Sequence, residues 1–320
     1  MRNATLRQLK VFECVARHLS FTRAAQELHL TQPAVSTQVK ELEAHAGQRL
    51  FEQLGRKIYL TQAGEEMLQH SRAIIQQFRE AAEAMHSLGG IAGGRLNVAV
   101  ISAGAYFFPR LLAEFARRHA GVVLNLAVHS RPEVVRQLEG NLTDLAAMVR
   151  PPSGEDMVCE RFAPHPFVIV AAPEHPLAGK KRIELGVVAR EAFIAREEGS
   201  NTWQSMSEAF GAWLPKLNIV MQTPSTEAIK QAVMAGMGIS FLSAYTVRLE
   251  RQVGSLAVLD VKGFPLMLDW YVVHRKRKRL PAVAIAFKKF LIDDGAAVIE
   301  RITGFDAQAW TRARRRPQAA

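Results

Sequence analysis

Three short segments of helical apolar periodicity, separated by a single capping residue and then by a three-residue break, constrain this chain more than any other feature. In the first, Leu6, Leu9, Phe12, Val15 and Leu19 recur at three- and four-residue spacing, as one face of a helix requires. Ser20 is placed to cap a second helix, Phe21 to Leu28, whose paired Ala24 and Ala25 allow a neighbouring helix to approach closely. After His29-Leu30-Thr31 a third helix is expected, with Thr31 as cap, Pro33 in the first turn and Gly47 as its stop. If Val35, Val39 and Leu42 face a core, then Gln32, Ser36, Thr37 and Lys40 face outward, where they can meet base edges and phosphates. This spacing alone leaves two readings open: a DNA-reading helix-turn-helix, or a small helical bundle with a solvated polar face.

The next residues favour the first reading. Gln48 to Gln53 and Leu54 to Thr61 alternate as a hairpin with Gly55-Arg56-Lys57 at its tip, a basic wing able to reach a groove or phosphate. A long helix is expected from Thr61 to about Leu88. Met67, Ile74, Ala81 and Leu88 fall seven residues apart, with Ser71, Phe78 and Met85 as a companion series, a pattern suited to helix pairing between two subunits. Gly89-Gly90-Ile91-Ala92-Gly93-Gly94 then marks a domain boundary. The expected division is a DNA-binding domain at 1–61, a linker and dimerisation helix at 62–90, and a two-lobed domain at 91–295. In that last domain one lobe takes about 91–164 and 268–295, the other about 165–267, and a basic tail follows at 296–320.

Net charge is +11, but thirteen basic and five acidic residues from Lys262 onward supply most of it. A DNA-binding assignment must therefore rest on the motif and not on bulk charge. The two cysteines, Cys14 and Cys159, form neither a CxxC pair nor a disulfide framework, which fits a reducing compartment. No apolar targeting segment follows Met1, and the stretch from Leu96 to Pro109 is too short to span a bilayer, so a cytoplasmic chain without a membrane partner is expected.

From Arg95 onward strands alternate with helices, implying an α/β fold with parallel strands covered on both faces. Strands are expected at Leu96–Ile101, Val122–Val128, Asp144–Val149 and Phe167–Ala171, near Phe193, Ile219 and Ile239, and at Leu266–Val273. Helices are expected at Phe108–Arg118, Pro132–Glu139 and Pro281–Phe290. A chain leaving a first lobe near Pro164 and returning near Pro265 makes two lobes on a double-stranded hinge. Ligands in such sheets sit beyond the C-terminal strand ends. That rule selects Ser102, Ser130 and Arg150 in one lobe, and Arg196, Ser200, Asn201 and Thr202 in the other, a set suited to an anion. Ordinary helix capping remains an equal reading for Ser130 and Asn201.

The run Leu19-Ser20-Phe21-Thr22-Arg23-Ala24-Ala25-Gln26-Glu27-Leu28-His29-Leu30-Thr31-Gln32-Pro33-Ala34-Val35-Ser36 resembles the DNA-binding signature of the LysR-type transcriptional regulators. Leu42-Glu43, Leu50-Phe51-Glu52 and Leu60-Thr61-Gln62-Ala63-Gly64 extend the resemblance. It implies a winged helix-turn-helix, a linker helix and a periplasmic-binding-protein-like effector domain. It also implies operator contacts by Gln32, Pro33, Ser36 and Thr37, with Arg56 entering the minor groove and Ser102 and Thr202 at effector positions. Many members carry arginine where this chain has Thr37, so a bidentate guanine contact is absent here. Tyr106-Phe107-Phe108-Pro109-Arg110, Arg150-Pro151-Pro152, Arg196-Glu197-Glu198-Gly199-Ser200 and the segment Glu227 to Ser243 resemble the CbbR-type branch. Its members regulate RuBisCO and Calvin-cycle operons and sense phosphorylated metabolites or nucleotides. The implied partners are double-stranded operator DNA, a small effector, RNA polymerase and a second copy of the chain, as homodimer or homotetramer.

Two rival classes lack the residues they need. For an enzyme, there is no GxSxG elbow, no GxxxxGK[ST] loop and no HExxH helix, and Gly236-Met237-Gly238 precedes a strand instead of following one. No catalytic residue, metal site or cofactor is expected, and His165 and His175 read as loop residues. A solute-binding protein would suit the α/β part but not the attached helix-turn-helix. The alternative within the resemblance is regulation of a different metabolic operon.

Overall fold

The computed structural model describes residues 3–55, 57–87, 94–152, 154 and 156–305. Arg56, Leu88 and the basic run Arg312 to Arg316 lie outside the described residues, as does the glycine-rich boundary up to Gly93. The chain divides into two compact units, Met1–Gly90 with Glu139–Leu142, and Ile91–Leu138 with Thr143–Ala320.

In the first unit, α1 (Leu6–His18), α2 (Phe21–Glu27) and α3 (Gln32–Ala46) precede a hairpin of β1 (Phe51–Leu54) and β2 (Lys57–Leu60), and then α4 (Gln62–Ser87). Each start is set by a short polar side chain that accepts from an otherwise unserved first-turn amide: Thr5 from Gln8, Ser20 from Arg23 and Thr31 from Ala34. The stop at Gly47 has a positive φ of 68°, a conformation glycine adopts without a Cβ penalty. Phe12, Val15, Ala24, Ala25, Val35, Val39, Leu42 and Leu50 make the core, and Ile75 from α4 joins it.

On α4 the seven-residue series divides. Ser71 is buried against its own unit, whereas Ile74 (43% exposed), Phe78 (60% exposed) and Ala81 lie open. Ser71 therefore belongs to the domain core and not to an exposed companion seam, because Ser71 and Ile75 share one side of the helix.

The second unit is α/β. Its first part holds β3 (Gly94–Ile101), α5 (Phe108–Arg118), β4 (Val122–His129), α6 (Arg131–Glu139) and β5 (Leu145–Met148). The chain then crosses on β6 (Met157–Ala171) into α7 (Leu185–Val188), β7 (Ala192–Arg196), α8 (Asn201–Phe210), β8 (Asn218–Thr223), α9 (Thr226–Met234), β9 (Ile239–Ser243), α10 (Arg248–Gln252) and β10 (Ala257–Val258). It returns on β11 (Leu266–Arg275) to α11 (Ala282–Thr303). The strands hydrogen-bond in the order β4-β3-β5-β11-β6-β9-β7-β8, with β10 on β6.

Two parallel groups, β4-β3-β5 and β9-β7-β8, are joined by β11 and β6, which run antiparallel to each other from Leu266↔Phe167 to Arg275↔Met157. The expected parallel sheets are thus the two ends of one mixed sheet, and the double-stranded hinge is its middle. One apolar core, containing Phe107, Phe108, Phe115, Trp270 and Phe287, fills the first lobe and continues into the second at Ile194, Ile229, Val233 and Leu242. A second, containing Phe167, Phe193, Phe210 and Phe241, fills the other.

The last helix outruns its expected end at Phe290. It continues to Thr303 and buries Val298 and Ile299, so 296–303 is packed helix and not tail. Gly295 sits inside it where an added Cβ would come within 3.1 Å of the Phe162 ring, which makes it a packing glycine instead of a stop.

Candidate DNA-binding face and ligand cleft

On α3 the side chains divide as the spacing requires. Val35, Val39 and Leu42 are buried, while Gln32, Pro33, Thr37 and Lys40 are exposed and Ser36 is half-buried. The wing is tied to this helix by Glu43, whose Oε1 accepts from the Leu50 and Phe51 amides at 2.8 and 3.3 Å. Lys57 is exposed on the hairpin. Thr61 caps α4 by accepting from Gly64, and its hydroxyl donates to the Arg49 carbonyl at 2.7 Å.

Gly64 is required at that junction, because a Cβ there would stand 2.1 Å from the Leu50 carbonyl oxygen. We expect Gly64→Ala to cost about 1–3 kcal/mol through backbone displacement. A thermal melt that leaves the DNA-binding unit unchanged would contradict this close packing.

Arg17 donates to Glu27, and His18 lies 2.6 Å from the same carboxylate, so α1 and α2 are clasped together. Hydrogen bonds from Arg17 first, then His18, hold the Glu27 carboxyl down at about 2. Cys14, His18 and Glu27 are the one trio of potential metal donors found among the described residues. The Arg17 guanidinium also reaches the Cys14 sulfur at 3.7 Å, so a cation already bridges the trio.

In the second unit a cleft of about 250 Å³ opens at the C-terminal ends of β3, β4 and β7. Ser102, Ser130, Arg196, Ser200, Asn201 and Thr202 line it, together with Arg131, His165, Glu197 and Glu198. The first turns of α6 and α8 both start at this wall, and their N–H groups have no helical carbonyl to serve them.

The individual polar groups differ sharply in what they have left to offer. Ser200 is committed to capping: its oxygen accepts from Trp203 at 3.1 Å and its hydroxyl donates to the Glu197 carbonyl. Arg196 is gripped through two nitrogens by Glu197 at 2.7 and 2.9 Å and donates to Thr226 at 3.1 Å. The Ser102 hydroxyl has a long contact of 3.5 Å to the His129 carbonyl. Neither end of the Asn201 amide has a hydrogen-bond partner among the described residues, although the residue is only 7% exposed.

Arg150 does not line the cleft. Its guanidinium makes two bonds, 2.9 and 2.6 Å, to Glu208 on α8, and so joins the first lobe to the second. Arg150 and Arg196 are thus largely neutralised by carboxylates of the same chain, and the attraction for an anion falls to the helix starts and hydroxyls. A second link runs between the lobes at Tyr106, whose hydroxyl lies 3.4 Å from Glu227, with the Lys230 ammonium 4.9 Å from its ring centre.

Polar wall residues that the strand-end rule did not single out include His129, Arg131, His165 and Glu197. Arg131 and Glu197 adjoin selected positions and could have been reached by the same strand-end rule. His165 is a strand residue of β6 and not a loop residue, and only its place between Pro164 and Pro166 near the crossing hinted at more. His175 does lie in a loop, where its Nδ1 faces the Leu177 amide.

A DNA-reading winged helix followed by a two-lobed ligand module defines a ligand-responsive transcriptional regulator. The profile described as bacterial regulatory helix-turn-helix protein, lysR family, matches residues 6–65, and that described as LysR substrate binding domain matches residues 90–296. The chain belongs to the LysR family of transcriptional regulators. It is 47% identical to a RuBisCO operon transcriptional regulator of Allochromatium vinosum over 92% of this chain and 97% of that protein. It is 44% identical to the HTH-type transcriptional activator CmpR of a Synechocystis species, over 93% and 98% respectively. Among solved structures, the Synechocystis PCC6803 CcmR regulatory domain in complex with 2-PG is 36% identical with a TM-score of 0.59, covering 62% of this chain and 96% of that one.

Proposed function

We propose that this regulator activates a CO2-fixation operon of the RuBisCO and Calvin-cycle type in answer to a small phosphorylated metabolite. The observation that carries the effector half is the cleft itself, where two helix starts and several hydroxyls face one small volume. The relatives named for RuBisCO-operon regulation and for activation support the target and the sign.

In this reading Gln32, Pro33, Ser36 and Thr37 meet base edges, Lys40 and Lys57 meet phosphates, and Arg56 enters the minor groove. Ser102, Ser130, Asn201 and Thr202 receive the effector anion, Ser200 shapes the helix start, and Arg196 and Arg150 transmit its arrival through their carboxylate partners. Residues 62–88 pair two copies through the Ile74 and Phe78 face, placing two recognition helices on a two-fold operator as a homodimer or a pair of dimers. RNA polymerase is the downstream partner, in the cytoplasm. No helix among the described residues is long and apolar enough to cross a membrane.

Effector shifts the regulator only by binding one lobe arrangement better than another. The Arg150–Glu208 and Tyr106–Glu227 links between the lobes are the contacts whose strength differs between such arrangements.

Footprinting on a CO2-fixation promoter, with and without ribulose bisphosphate, phosphoenolpyruvate, ATP and NADPH, tests the whole reading. A protected two-fold site that changes with one of these compounds is expected. Protection elsewhere in the genome but not at such promoters would assign the protein to another metabolic operon. Gln32→Ala is expected to weaken specific binding by about 1–3 kcal/mol, and Lys57→Ala to weaken all sequences evenly and reduce the salt slope by about one. If gel shifts with Gln32→Ala and Arg56→Ala both match the parent protein, the interface lies elsewhere.

A further inference from the structure

His165 lies in β6, near the middle of the double-stranded crossing, paired in register with Leu268 of β11. It lines the cleft yet is 1% exposed, and neither ring nitrogen has a hydrogen-bond partner among the described residues. The ring is stacked on Phe167 at 4.4 Å and on Trp270 at 4.9 Å between centroids, with Tyr245 nearly parallel at 5.8 Å. Burial pushes its pKa down to about 3, so the imidazole is neutral at physiological pH.

A buried imidazole costs free energy unless something in the cleft completes it. A neutral imidazole has one donor and one acceptor nitrogen, and it offers no positive charge to offset a second anionic group. A hydroxyl, which both donates and accepts, satisfies it in either tautomer. Asn201, across the same cleft, likewise offers an uncharged donor and acceptor with no partner among the described residues.

We infer that His165 is a specificity-determining residue that reads an uncharged hydroxyl of the effector, so that the cleft prefers a hydroxylated phosphate ester to an unhydroxylated one of the same charge. This rests on the anion-cleft reading above and narrows it: the helix starts take the phosphate, and the hinge histidine takes the hydroxyl.

Two probes isolate the hydroxyl term. Glycerol 1-phosphate and n-propyl phosphate carry the same charged group, and only the first carries hydroxyls. Titration calorimetry on the full-length protein is expected to find glycerol 1-phosphate about tenfold tighter, the effect of one hydrogen bond to an otherwise unserved buried group. His165→Phe keeps the ring stacking and is expected to bring the two affinities together, with His165→Gln restoring part of the difference. Equal affinities in the parent protein would refute the hydroxyl role while leaving the anion cleft intact, and this arm decides even if the variants fail to fold. Retained discrimination in a folded His165→Phe would also refute it. If neither ester binds the parent protein, the anion cleft itself is wrong and this inference falls with it.

Discussion

Lys278→Met is expected to lower the melting temperature of the effector-binding unit by about 10 °C, whereas Lys276→Ala two residues away shifts it by no more than about 2 °C. Both belong to the basic run His274 to Arg279, which by sequence reads as a solvated turn or a DNA-attracting patch. The structure separates them. Lys276 is exposed, but the Lys278 side chain is 3% exposed and stands 3.1 Å from Asp144, itself 2% exposed. The Lys278 ammonium also donates to the Thr143 carbonyl at 2.8 Å, and Asp144 accepts from the Asn97 amide and side chain at 2.8 and 2.9 Å.

These bonds tie the end of β11 to the entry of β5 and to β3, three adjacent strands of the first lobe. Removing one partner of such a pair leaves a buried charge without its counterion, which costs about 3–5 kcal/mol, far more than the pair itself contributes over apolar residues of the same volume. The double variant Lys278→Met, Asp144→Leu should therefore recover part of the loss. A single variant that melts with the parent protein would mean that Asp144 is reached by water or protonated. At this position the basic run is internal, and a DNA-attracting role falls to its exposed members alone.

The contrast between these two lysines shows what the sequence could and could not reveal. Helix starts at Thr5, Ser20 and Thr31 and the apolar stripe Val35, Val39, Leu42 are local signals, written within four residues, and the observed elements follow them closely. Strand-end placement of Ser102, Ser130, Asn201 and Thr202 was equally legible, because alternating strands and helices dictate where the C-terminal edges lie. What escaped depends on chain segments far apart. Arg150 finds Glu208 fifty-eight residues on, and Lys278 finds the Thr143 carbonyl 135 residues back. Neither pairing leaves a periodic trace. The last helix runs past Phe290 through Gly295, which is fitted against the ring of Phe162, a contact from strand β6 that the local sequence does not announce. His165 reads as a loop residue by sequence, and two prolines flank it. Such prolines cannot donate to a ladder, yet here the strand continues through both.

Acid should destabilise the effector-binding unit more in the parent protein than in His165→Phe, by about 2–3 kcal/mol between pH 6.5 and pH 4.5. In the native state burial holds the His165 imidazole neutral down to about 3, whereas its ordinary value is 6.5. Between those values the unfolded chain carries one proton that the native chain does not. Stability therefore rises with pH through this window and falls on acidification, by up to about 1.4 kcal/mol per unit. Above about pH 6.5 both states are neutral and the difference is constant.

His274 is also held down by burial and titrates in the same direction, but it is present in both proteins and cancels in the comparison. Urea unfolding of the two proteins at several pH values gives the difference directly. Parallel curves would mean that the ring takes a proton while folded, and a charged hinge histidine would then attract a second phosphate instead of a hydroxyl. A parent curve that drops away from that of His165→Phe toward acid pH would establish an imidazole that stays neutral in the native state. In that case the effector response between pH 7 and 6 should owe nothing to this residue's titration, since its native form does not change charge in that range.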